Sequence, residues 1–97
     1  MLFVGELIWD KWNVEHIARH DVLPEEVEEV CNKNPFVSET HSGRLRLIGL
    51  TKNDRMLTII VAPKELGTYY PVTARPASRK ERRKYKEQKG GENYDTN

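Results

Sequence analysis

The sequence predicts an α+β domain: a mostly antiparallel sheet with two helices on one face and a basic helix at the end, in the order β-α-α-β-β-β-α. Three observations carry this. After the opening strand-like run the apolar period is helical as far as Pro35, and it changes to two after that residue. The three runs with that second period are joined by links too short for a crossover, so they form an antiparallel meander. An isolated meander buries too little surface, so helices must cover one face of it.

The elements follow in chain order. LFVGELIW predicts a first strand over about residues 2–8. Asp10 or Asn13 then caps a short helix through Arg19, with Val14, Ile17 and Ala18 on one face. Pro24 opens the second helix, and Glu25 and Glu26 suit the positive end of its dipole. Val27, Val30 and Cys31 form its apolar stripe, and Asn34-Pro35 ends it. RLRLIGL (44–50), RMLTIIVA (55–62) and TYYPVTA (68–74) are the three strands. Asn53-Asp54 turns between the first two, and a loop around Pro63 to Gly67 joins the others. Pro71 cannot donate to a ladder, so the last strand is an edge there or is bulged. Ser78 and Glu81 make a capping box that starts a helix running to about Lys89. Residues 1–89 form one domain, and GGENYDTN (90–97) is expected to be a flexible tail.

At 97 residues the chain supports one modest core. One cysteine, Cys31, excludes an internal disulfide framework and fits a reducing compartment. The opening run lacks a basic flank and is too short for a signal peptide or a membrane span, so a soluble cytoplasmic protein is expected. The net charge of +1 conceals a segregation: residues 1–30 carry −6, whereas residues 79–89 carry +5. Such a split concerns partners more than fold, although the two elements could simply attract each other.

If Ala62 pairs with Thr68, antiparallel counting sets Arg55 opposite Arg75, and a Lys52–Arg55 pair across the turn adds Lys52 to the row. Like charges directly opposite destabilise a sheet, so an anion is expected above them. Arg79 follows just past the same strand end. A polyanion such as RNA or DNA fits, because guanidinium forks grip phosphate oxygens and counterion release adds affinity. Lys80, Arg82, Arg83, Lys84 and Lys86 are either a solvated helix face or a source of long-range attraction.

His16 and His20 have i, i+4 spacing, but HIARH lacks the glutamate of a metal-binding H-E-x-x-H and has no third ligand, so no metal is expected. His20 closes the first helix and is either a proton shuttle, a phosphate contact or a helix-end cap. Trp9 and Trp12 flank that helix as packing residues, or Trp9 stacks on a base. Cys31 is a core thiol.

The stretches IWDKWNVEHIARHDV, PEEVEEV, RLRLIGLTKNDRMLTIIV and VTARPASRKERRKY together resemble the BrnT family, over roughly residues 7–86. These are toxins of type II toxin–antitoxin systems with a RelE-like ribonuclease fold. The resemblance implies a metal-independent endoribonuclease without a cofactor that blocks translation and forms a hetero-oligomer with its antitoxin. By position, His20 fills the family's histidine closing the first helix, Arg55 its arginine just after the hairpin turn, Arg75 the arginine of its S-A-R-like ending, Arg79 the basic residue that begins its last helix and Trp9 its aromatic before the early aspartate. Asp21 stands where the family has glycine, and Pro71 interrupts the strand before Arg75.

The implied chemistry uses the RNA 2′-hydroxyl as nucleophile. His20 is the expected general acid or base, because an imidazole ordinarily titrates near working pH. Arg55 and Arg75 would stabilise the phosphorane, while Lys52, Arg79 and Trp9 would hold RNA. Arg82, Arg83 and Tyr85 would meet a partner protein. The alternative is a basic module that binds nucleic acid or regulates without cutting.

Overall fold

Apolar side chains on both faces of the central strands force a layered arrangement. The computed structural model, which describes residues 4–94 and the side chains of 4–89, runs β1 (Glu6–Leu7), α1 (Lys11–Ala18), α2 (Pro24–Asn32), β2 (Phe36–Glu39), β3 (Leu45–Leu50), β4 (Met56–Glu65), β5 (Thr68–Pro76) and α3 (Arg79–Tyr94). The sheet order is β1-β5-β4-β3-β2, with β1 parallel to β5 and every other pair antiparallel. This is the expected α+β plan with one added strand. β2 is a four-residue edge strand whose only fully exposed member is Glu39, so it shows little alternation from which a period could be read.

One sheet face carries the core. Leu47, Leu57, Ile59, Val61 and Ala74 from the sheet meet Ile17 and Val22 from α1 and its following turn, and Val27 and Val30 from α2. Asp10 caps α1 through a reciprocal box with Asn13. Asn13 is fully buried, and its amide also donates to the carbonyls of Ile8 and Pro71, tying α1 to the residue that follows β1 and to β5. Gly49 lies against α2: a Cβ there would sit 3.0 Å from Val30 Cγ1 and 3.2 Å from the Pro35 ring. Gly49→Ala should therefore destabilise the fold by about 1–3 kcal/mol through overpacking, read as a lower urea midpoint with an unchanged slope. An unchanged midpoint would mean that α2 can move away from β3.

Two strand ends differ from expectation. β4 extends to Glu65 and turns through Leu66-Gly67, with Gly67 at φ 79°, where a loop from Pro63 was expected. β1 is limited to Glu6–Leu7, and the first residues of the expected strand lie outside the described ones. Pro71 behaves as anticipated: β5 skips one residue there, pairing Val61 with Pro71 and Ile60 with Thr73 around a bulge at Val72. α3 continues to Tyr94, so Gly90 to Tyr94 are helical where a tail was expected, and the rest of that tail lies outside the described residues. An established helix adds one hydrogen bond per residue as it grows, which offsets the weak propensity of Gly90-Gly91.

Candidate nucleic-acid interface

Arg75 stands near the end of β5, paired with Thr58 of β4, and both side chains point away from the α1–α2 layer. The first turn of α3 brings Glu81 over them. Arg75 Nη1 and Nη2 donate to Glu81 Oε1 and Oε2 at 2.7 and 2.8 Å. Thr58 Oγ1 and the Ser78 amide also donate to Oε1, each at 2.8 Å. The Ser78 hydroxyl in turn accepts from the Glu81 amide, completing the predicted capping box. The Arg75 hydrogen bonds, supported by those from Ser78 and Thr58, pull the Glu81 carboxyl down to about 2 against the opposing effect of burial. Bonding to Glu81 raises Arg75 in return.

Register identifies what else shares this face. Ile48, Thr58 and Arg75 form one row across β3, β4 and β5, and Arg46, Ile60 and Thr73 form the next, with Ser38 of β2 beside Arg46. Arg46 Nε approaches Ser38 Oγ at 3.4 Å. On α3, Arg79, Arg82, Arg83 and Lys86 recur at i, i+3, i+4 and i+7, a single exposed stripe. They line a shallow groove of about 410 Å³ with Glu87. Glu81 and the half-buried Tyr85 share the side of the helix turned to the sheet.

Arg55 and Arg75 do not converge. The β3–β4 turn uses Lys52, Asn53 and Asp54, with Asp54 at φ 62°, so Thr51 rather than Lys52 faces Arg55. At the other hairpin the tight turn and the bulges bring Thr58, not Arg55, opposite Arg75. Residues 55 and 58 have opposite parity, so Arg55 projects towards the α1–α2 layer instead. There Nη1 donates to the Asp21 carbonyl at 2.6 Å and to the Glu26 carboxylate at 3.0 Å, and Nη2 reaches the His20 carbonyl at 3.5 Å. Arg55 thus closes the corner between α1 and α2, satisfying carbonyls that the helix end leaves open.

That corner contains His20, whose ring is exposed and meets His16 edge-on at 5.9 Å, while His16 stacks on Trp12 at 4.9 Å. Lys52 lies beside α2, its amide donating to Glu29. Trp9 packs against the core and donates Nε1–H to Glu28 at 3.0 Å. The structure therefore gathers His20, Arg55, Lys52 and Trp9 on the helical, acidic side, and Arg75, Arg79, Arg82, Arg83 and Tyr85 on the other.

Asp21 occupies the left-handed region at φ 59°, where glycine carries no Cβ penalty. Its link to Arg55 runs through the backbone carbonyl, which glycine keeps. Asp21→Gly should stabilise the protein by about 0.5 kcal/mol, visible as a slightly higher melting temperature. A lower one would reveal a role for the carboxylate beyond these contacts. Burial, with Glu28 nearby, pushes the Cys31 thiol up to about 12, in keeping with a core residue.

Sequence reasoning missed Arg46 and the second role of Glu81. The alternation R-L-R-L carried the first signal, since Arg46 must face away from Leu45 and Leu47. Glu81 was visible only as a cap, because its pairing with Arg75 depends on how α3 folds back.

No family model matches the chain, and no curated protein matches it. Among solved structures, the crystal structure of the Brucella abortus ribonuclease toxin BrnT matches with a TM-score of 0.63 and 23% sequence identity, covering 76% of this chain and 97% of that one. The likeness is one of fold: helices packed on one face of a mixed, mostly antiparallel sheet, as in BrnT.

Proposed function

We propose that this protein is a toxin-type endoribonuclease that acts on RNA in the cytoplasm and is neutralised by a cognate antitoxin. The observation that carries the reading is the BrnT-like fold, joined to a cationic stripe on the side of the sheet where Arg75 is exposed. The matched structure is a ribonuclease toxin, and clustered exposed cations beside the partly exposed Arg75 suit a phosphate backbone.

In this reading the RNA 2′-oxygen attacks the adjacent phosphorus and the 5′-oxygen leaves, giving a cyclic phosphate and a 5′-hydroxyl. The outward N–H groups of Arg75 stabilise the added negative charge, and Arg79 and Arg46 hold flanking phosphates. His16 and His20 belong to α1 and its end, and His41 to the β2–β3 turn, so His20 and Arg75 do not serve one phosphodiester. Proton transfer then passes through solvent or the RNA, and electrostatic stabilisation carries the rate. His20 and Arg55 act as a structural corner. Arg82, Arg83 and Tyr85 are the contact for the antitoxin, whose acidic residues would cover the same stripe.

One observation favours the non-catalytic alternative: Arg75 is held by an internal carboxylate with no imidazole beside it. Labelled RNA incubated with purified protein in EDTA separates the two. Fragments with cyclic-phosphate ends are expected, whereas a gel shift without fragments would make the chain a binding module. Growth arrest on induction, relieved by co-expression of the adjacent reading frame, tests the antitoxin.

A further inference from the structure

We infer that Arg75 is a two-edged guanidinium whose outer edge binds a pair of phosphate oxygens, and that Glu81 is the positioning residue that aims that edge. This deepens the ribonuclease reading and rests on it for its substrate.

A guanidinium offers five N–H groups in one plane. Glu81 takes one from Nη1 and one from Nη2, occupying the end of the fork. The second Nη1–H lies 3.4 Å from the Pro76 carbonyl. Nε–H and the remaining Nη2–H are neighbours pointing the same way, and no described group accepts from either. Their spacing matches two oxygens of a phosphate. The Arg75 side chain is 42% exposed, against 9% for Glu81, so one edge faces protein while the other is open to solvent.

Glu81 is rigid enough to aim it. Its carboxylate is held by Thr58 on β4 and by the Ser78 amide at the β5–α3 junction, while its own backbone amide is anchored to the Ser78 hydroxyl in the first turn of α3. Three elements thus fix the plane of the guanidinium before any ligand arrives, which removes an ordering cost from binding. The pair carries no net charge, so long-range attraction must come from Arg46 and the α3 stripe. Charge attraction and phosphate orientation are therefore assigned to different residues.

Glu81→Gln separates these roles. It keeps an acceptor for Nη1 and sets an amide against Nη2, so the fork turns, while the local charge rises by one. At a temperature where both proteins are folded by circular dichroism, RNA cleavage should show kcat reduced about 10-fold with KM unchanged or lower. A purely structural Glu81 would lower the melting temperature and leave kcat intact, which would overturn the inference. A second measurement needs no variant that must fold: 15N-labelled wild-type protein titrated with inorganic phosphate, and separately with a non-cleavable 2′-deoxy oligonucleotide. The Arg75 Nε–H resonance should shift with both, and its failure to move with either would overturn the proposal. A shift in a protein that cuts no RNA would support the phosphate fork while removing the ribonuclease reading. Cleavage with a stationary resonance and intact Glu81→Gln kcat would do the reverse.

Discussion

Glu81→Ala should lower the stability of the fold by about 3 kcal/mol, or roughly 12–24 °C in melting temperature for a domain of this size. Removing the carboxylate strips Thr58 Oγ1, the Ser78 amide and two guanidinium N–H groups of their acceptor at once. Loss of one partner from a fully buried pair costs about 3–5 kcal/mol, and the partial exposure of Arg75 brings the figure to the lower end. A pH dependence follows. Because the folded-state pKa of Glu81 lies near 2, below its ordinary 4.5, its ionisation stabilises the protein fully above about 4.5. That contribution fades as pH falls towards 2, where the carboxylate takes up its proton. Wild type should thus lose stability between pH 4.5 and 2 more steeply than Glu81→Ala. Parallel acid profiles for the two proteins would show that the pair contributes nothing.

Arg75→Lys should reduce RNA cleavage about 10²-fold while costing much less stability than Glu81→Ala. An ammonium keeps the charge and one bond to Glu81, so the buried carboxylate is not abandoned. What it lacks is the planar second edge, and with it the paired donors for a developing phosphorane. Initial rates on a labelled oligonucleotide, taken beside melting curves, separate chemistry from folding. Cleavage at the wild-type rate would take the Arg75 fork out of the mechanism.

The sequence made most of the architecture legible because each element carried its own local signal. Asp10 and Asn13 announced α1, Pro24-Glu25-Glu26 announced α2, and Ser78 with Glu81 announced α3. β2 was illegible because an edge strand of four residues has too few positions to express a period. The candidate site was legible in composition but not in side. Whether Lys52 and Arg55 join Arg75 in one row depends on a count through two turns and two irregularities, and each odd count reverses the answer. The left-handed conformation of Asp54 fixes the first count, and nothing in the Asn53-Asp54 pair distinguishes a two-residue turn from a three-residue one. Lys52 and Trp9 fell on the helical side for related reasons: one left the ladder at that turn, and the other was drawn to Glu28.

The surplus residue at Val72 sets the phase of β5. Before it, odd positions such as Tyr69 and Pro71 look into the apolar layer; after it, even ones such as Ala74 do. The address of Arg75 is therefore written in chain length rather than in any neighbouring side chain. One extra codon between Pro71 and Ala74 would be enough to turn the guanidinium inward and bury the cation, with every amino acid of the cationic surface unchanged.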